Sequence, residues 1–192
     1  MHTPKIVGFA GSWSRPSRTR NLVEAALAKA AARTGAETRL YDLAELAFSL
    51  GTTLSADEAP ADVAVLLNDI VTADALIVGS PVYKGTYTGL FKHLFDLIEP
   101  RALKDKPVVL IASGGSERHA LVLDHGLRPL FAFFSADIIA TGLYATETDF
   151  TDYRPSSEAL LSRIDRAATE LSWRLSVAGR RHAEPAQALA AS

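Results

Sequence analysis

The sequence predicts an α/β fold whose parallel sheet is covered by helices on both faces. Three observations carry that expectation. Apolar runs of six or seven residues alternate with segments of helical periodicity along nearly the whole chain. Each run is continuously apolar rather than alternating, the pattern of a strand buried on both sides. The most unusual loops, rich in hydroxyls, glycine and basic residues, fall after the first, third and fourth runs, where a doubly wound sheet places its ligand.

The elements follow in order. Residues Lys5–Ala10 form the first buried strand. Gly11 and Ser12 stop it, and a helix runs from about Thr19 to Thr34, closed by Gly35. A second strand spans Glu37–Asp42. Leu43 to Pro60, with its GTT and SADEAP breaker clusters, is expected to be a long connection. Val63, Leu66, Leu67 and Ile70 mark a helix from Ala61 to Thr72. Ala75–Ser80 and Pro107–Ser113 are further buried strands, and a helix from Gly89 to Ile98 lies between them. A fourth helical segment runs from Glu117 to Phe134, and a fifth strand spans Asp137 to Leu143. A final amphipathic helix covers Ser156 to Val177 with Ser156 at its N-cap. Residues 1–178 are expected to form a single domain and 179–192 a C-terminal tail.

The loop after the first strand, Gly11 to Arg20, holds Ser12, Ser14, Ser17 and Thr19 among Arg15, Arg18 and Arg20. It feeds a helix N-terminus, where free N–H groups and the positive end of the helix dipole favour an anion. Hydroxyls and guanidinium groups add charge-assisted donors. A phosphate is the expected guest. The loop has neither a Walker A ending nor a G-x-G-x-x-G pattern. The loop after the third strand, SPVYKGTYT, offers Tyr83 and Tyr87 as aromatic surface, Pro81 and Gly85 as backbone shape and Lys84 as charge. The loop after the fourth, SGGSERH, lets its main chain approach a ligand at Gly114 and Gly115 and carries Ser116, Arg118 and His119 at its mouth.

Composition narrows the chemistry. Of the 192 residues, 48% are hydrophobic and 22% charged, and the formal net charge of −2 lends nothing to nucleic-acid binding. The chain has no cysteine, which excludes disulfides, thiolate metal sites and a cysteine nucleophile. The five histidines show no metal-ligand spacing, and no Ser-His-Asp set stands out. No run approaches the roughly 18 apolar residues of a membrane span. No basic stretch followed by an apolar run opens the chain, so the expected location is the cytoplasm. Phosphate donors, ring-stacking surface and backbone amides without a nucleophile or metal point to a bound cofactor that carries the reaction.

Three motifs in order, GSWSRPSRT, SPVYKGTYTGLFKHLFD and ASGG, resemble those of the NAD(P)H-dependent FMN reductases of flavodoxin-like fold. Within that family the chain is most similar to the reductase components of two-component alkanesulfonate monooxygenase systems. The resemblance implies a five-stranded parallel sheet of order 2-1-3-4-5, FMN as cofactor and NADPH or NADH as electron donor. It places the FMN phosphate at Ser12, Ser17, Arg18 and Thr19, with Ser14 standing where the family often has arginine. It sets the isoalloxazine ring against Pro81, Val82, Tyr83 and Lys84, and its pyrimidine edge near Ser113, Gly114 and Gly115. Ser116, Arg118 and His119 are candidates for the nicotinamide nucleotide, and Arg15 and Arg118 for a 2′-phosphate. No side-chain acid and no metal is expected in the chemistry. Reduced FMN would pass to a partner monooxygenase.

Pro129 lacks an N–H, so the His125 carbonyl loses its helical partner, and Gly126 softens the same turn. A π-bulge is expected there. The resemblance aligns His125 with an inserted aromatic residue of related reductases, implying a role in flavin release or assembly. The helices at Gly89–Ile98 and Leu121–Phe134 are apolar over a wide arc, which predicts a homodimer at least and a tetramer by preference. Two other functions compete: a quinone or azo reductase with tightly held FMN, and a non-enzymatic flavin-binding electron carrier. Such carriers are far more acidic than this chain.

Overall fold

The computed structural model describes residues 3–183, with side chains through residue 178. Strands β1 (Lys5–Ala10), β2 (Glu37–Asp42), β3 (Ala75–Pro81) and β4 (Pro107–Ser113) build a parallel sheet of order β2-β1-β3-β4. The fifth position is shared by two short strands, β5 (Asp137–Ile138) and β6 (Leu143–Ala145), both parallel to β4. The order 2-1-3-4-5 is therefore met. The expected single strand at Asp137–Leu143 is broken at residues 139–142 and runs on to Ala145. Side chains of the last helix hold the break open. Glu170 accepts from the Thr141 N–H (2.9 Å) and hydroxyl (2.6 Å), and Arg163 donates to the Gly142 carbonyl (2.9 Å).

Alternate residues of each strand enter two separate cores. Val7, Phe9, Leu76, Val78, Val108 and Leu110 face α2 (Leu43–Thr52), α3 (Ala61–Thr72), α4 (Gly89–Asp96) and α5 (Arg128–Phe133). Ile6, Ala10, Ala75, Ile77, Val109 and Ile111 face α1 (Arg18–Thr34) and α6 (Glu158–Ala183). Helix α1 lies so close to β1 that a Cβ on Gly8 would collide with Leu27 Cδ1 and come within 3.0 Å of Val23 Cγ1. Gly35 closes α1 at φ +68°, a conformation in which a Cβ is strained.

The segment expected as a long connection is instead helical at its start. Asp42 caps α2, accepting from the Ala44 N–H at 2.9 Å, and Leu43, Leu46 and Leu50 bury one face. This helix covers the side of α4 that the sequence assigned to a partner subunit. His93 Nε2 bonds the Leu50 and Thr53 carbonyls (3.1 and 2.8 Å), and Phe91, Leu94 and Phe95 are fully buried within the chain. The cap of α6 is Ser157, one residue later than expected, and its hydroxyl accepts from the Leu160 N–H. The backbone of α6 continues to Ala183, into the stretch expected as a tail, and 184–192 lie outside the described residues.

Glu117 to Phe134 is not one helix. A 3₁₀ turn (Glu117–His119) precedes a π turn (Leu123–Leu127) that runs into α5. The Arg128 N–H donates to the Leu123 carbonyl, five residues back. The expected bulge is present at Gly126 and Pro129 for the reason given above.

Lys106 ties the sheet to the end of α3, donating to the Ile70, Val71 and Ala73 carbonyls at 2.6–2.9 Å. No helix among the described residues is long and apolar enough to cross a membrane.

Candidate active site

The C-terminal ends of β1, β3, β4 and β6 open into a cleft of about 210 Å³. Ser12, Ser14, Pro16, Ser17, Arg18 and Thr19 form one wall, Pro81, Val82 and Tyr83 the second, and Ser113, Gly114 and Gly115 the third. The three loops that the sequence singled out therefore meet at one point.

Ser17 is the N-cap of α1, and its oxygen accepts from the Arg20 N–H at 3.2 Å. Its own hydroxyl proton stays available to a ligand. Ser12 and Ser14 share a hydrogen bond of 3.2 Å, and both Ser12 and Ser17 are buried. Thr19 is bonded to Ser113 (2.6 Å, both buried), so that pair fastens the head of α1 to the end of β4. The Ser80 hydroxyl accepts from the Thr88 N–H and the Thr88 hydroxyl donates to the Gly11 carbonyl (3.0 and 2.9 Å), bracing the second loop against the first.

Arg18 is the cation of the cleft. Its guanidinium lies 4.8 Å above the Tyr153 ring, its Nη2 pairs with Glu147, and its Nε is buried with no hydrogen-bond partner. A buried N–H of a charged group left unpaired is costly unless a ligand completes it. Capped hydroxyls, the open N-terminus of a 17-residue helix and this Nε together fit a phosphate.

Several candidates sit elsewhere. Arg15 turns away to Asp42 (2.6 Å) and Glu45 (3.2 Å), whose carboxylates raise its already high pKa. It caps the β2 end of the sheet and is withdrawn from the 2′-phosphate role. Lys84, at φ +53°, is not among the residues that line the cleft, and Tyr87 packs on Phe91 with ring centroids 5.8 Å apart. Tyr83 remains at the mouth with the Trp13 ring edge-on to it at 5.1 Å. The Gly114 N–H, expected to face a ligand, is taken by the Ala145 carbonyl at 3.0 Å, because β6 continues the ladder beside β4. Ser116 lines neither cavity; its carbonyl accepts from the Tyr144 hydroxyl at 2.5 Å. Burial, with Glu117 nearby, raises the Tyr144 pKa and keeps it a proton donor. Arg118, His119 and His125 line a second cavity of about 250 Å³ with Thr86, Leu121 and Gly126, on the flank of the π turn.

The sequence reading missed a fourth wall, formed by Ala145, Thr146, Glu147 and Tyr153. Thr146 and Asp149 make a reciprocal cap, and Asp149 also accepts from Ser157 at 2.7 Å. Burial would raise the Asp149 carboxyl, but these hydrogen bonds hold it below the usual range. Asp152 and Tyr153, at φ +48° and +64°, turn a two-stranded hairpin, and Asn21 Nδ2 donates to the Tyr153 carbonyl at 2.9 Å. The signals were there: a T-x-x-D cap after the fifth strand, and the rule that the ligand of such a sheet lies outside the carboxyl ends of its strands.

The fold and cleft define a flavodoxin-like α/β protein with a cleft at its sheet ends whose donors fit an anion. The family model for NADPH-dependent FMN reductase matches residues 4–151, and the chain belongs to that family. It is 53% identical over 164 residues to the NADH-dependent FMN reductase SfnF of Pseudomonas fluorescens, covering 85% of this chain and 88% of that one. It is 51% identical over 164 residues to an FMN reductase (NADPH) of Pseudomonas aeruginosa, with the same coverage. Among solved structures it is similar to the apo form of an NADH:FMN oxidoreductase (EMOB), with a TM-score of 0.80, 31% identity and 89% of each chain covered.

Proposed function

We propose that this chain oxidises NADH or NADPH at the cleft described above and releases reduced FMN to a partner monooxygenase. The observation that carries the assignment of the cleft is the buried, unpaired Nε of Arg18 at the head of α1. In this reading Ser12, Ser14, Ser17, Arg18 and the first turn of α1 at Thr19 hold the phosphate. Pro81, Val82 and Tyr83 lie along the ring, and Ser113 and Gly115 border its polar edge. When bound, FMN supplies the two-electron acceptor chemistry. The chain's own part is to place the ring, to shield one face with Val82 and Tyr83, and to leave the other open to the nicotinamide. Gly114 contributes by holding the loop against β6 rather than by donating to the ring.

Arg118 and His119, in the second cavity, are the groups we assign to the nicotinamide nucleotide. His125 shares that cavity and the π turn, which supports its role in flavin release or assembly. The apolar side chains left exposed, Phe48 (86%) and Leu54 (85%) with Leu121 and Phe133, support a homo-oligomer, for which a tetramer is our reading. A pyridine nucleotide donor fits a cytoplasmic enzyme.

The test is the rate of NADH and NADPH oxidation by purified protein as FMN is added. A rate that climbs from near zero and saturates with FMN marks flavin as a substrate that comes and goes. A yellow protein whose rate ignores added FMN but answers to a quinone would replace this reading with that of a fixed-flavin reductase.

A further inference from the structure

Glu147 is an anion built into a wall of an anion pocket. It stands on the 3₁₀ turn Glu147–Asp149, which the Thr146–Asp149 cap and the Ser157 hydroxyl hold in place. Its carboxylate pairs with Arg18 Nη2 while its side chain stays 71% exposed. Arg18 therefore has one side of its guanidinium engaged by the internal carboxylate at Nη2 and the other, the buried Nε, without a partner. The other basic residues of the first loop do not relieve this competition. Arg15 is committed to Asp42 and Glu45, and Arg20 to Asp42 and Glu24.

We propose that Glu147 sets the affinity of the cleft for the 5′-phosphate of FMN by competing with it for Arg18, so that the flavin is held loosely enough to leave. This rests on the reading of the cleft given above. A phosphate monoester near neutrality carries nearly two negative charges. A carboxylate already paired with Arg18 cancels part of the guanidinium's attraction for that charge, which weakens phosphate binding by roughly tenfold. Riboflavin has the same ring without the phosphate and does not draw on that attraction. The chain thus spends part of its phosphate recognition on an internal counter-ion, which suits a flavin that must be exchanged each turnover.

The experiment measures dissociation constants for FMN and for riboflavin, by quenching of flavin fluorescence at fixed ionic strength, on the wild type, Glu147→Gln and Glu147→Asp. The Glu147 side chain is largely exposed and the turn is held by Thr146, Asp149 and Ser157, so both variants keep the fold. The expected result is that Glu147→Gln tightens FMN about tenfold, leaves riboflavin within twofold, and that Glu147→Asp, which keeps the charge, stays near wild type. In an Arg18→Ala background the gain from Glu147→Gln should shrink. FMN affinity that is unchanged or weaker in Glu147→Gln, with FMN still preferred over riboflavin, overturns the inference and leaves the phosphate site standing, with Glu147 as an orienting partner. A wild type that binds FMN no better than riboflavin overturns the phosphate site and this inference together.

Discussion

Gly114→Ala probes how the third loop is held. A Cβ at Gly114 falls inside contact distance of the Tyr144 hydroxyl, with Cζ at 3.3 Å. Tyr144 cannot give way freely, because its hydroxyl is committed to the Ser116 carbonyl at 2.5 Å. The loop cannot give way freely either, because the Gly114 N–H is bonded to Ala145. Overpacking of this kind costs about 1–3 kcal/mol, and a displaced hydroxyl adds about 1 kcal/mol for the lost hydrogen bond. The expected loss is about 3 kcal/mol, or roughly 6–12 °C in Tm for a domain of this size. The assay is urea denaturation of the wild type, Gly114→Ala, Tyr144→Phe and the double variant. Removing the hydroxyl should relieve most of the clash, so the double variant should be more stable than the sum of the singles by about 1–2 kcal/mol. Additivity within about 0.5 kcal/mol would show that the two groups do not press on one another, and the account of the third loop would fail.

Arg18→Ala should weaken FMN by about 10- to 100-fold, the worth of hydrogen bonds to a charged group, and leave riboflavin nearly unchanged; equal losses for both ligands would place Arg18 on the ring. Burial would raise the Asp69 carboxyl, yet Lys5, Tyr41 and Arg39 (2.8 Å) hold it below the usual range. A depressed carboxyl stabilises the fold above its unfolded pKa of about 4 and loses that contribution as the pH falls through the folded value. Asp69→Asn should therefore cost about 2 kcal/mol at pH 7, discounted because Arg39 and Lys5 reach solvent, and should flatten the acid limb of stability against pH; an unaltered limb would refute the assignment. Burial pushes the Lys106 ammonium down to about 8, so it is charged at pH 7. Lys106→Met should lower stability by about 2 kcal/mol in thermal denaturation, since three carbonyls at the end of α3 lose their donor; a neutral result would mean that water replaces it.

Much of the site was legible because it is local chemistry. The hydroxyl-rich loop could be read as the head of a helix, since that depends on residues adjacent in the chain. The π turn was legible for the same reason: Pro129 removes one donor and Gly126 yields. Helix α2 was overlooked although Asp42 and Glu45 present a D-x-x-E start, because the glycine and threonines that follow look like a loop. The fourth wall of the cleft was hidden by distance. Glu147 lies 129 residues from Arg18, and nothing near it in the chain announces that an arginine will be its partner.

The sequence by itself determined the layered sheet, its strand order through the family resemblance, and which loops line the cleft. Continuous apolar runs, caps and helix breakers act over a few residues, and the energies they express do not need the rest of the fold. Only the tertiary structure decided which hydrogen-bond donors are still free. It spent the Gly114 N–H on β6, turned Arg15 to Asp42, covered α4 with α2, and stacked Arg18 between Tyr153 and Glu147. A donor engaged inside the fold is not free for a ligand, and its partner is chosen by which segments the fold brings side by side.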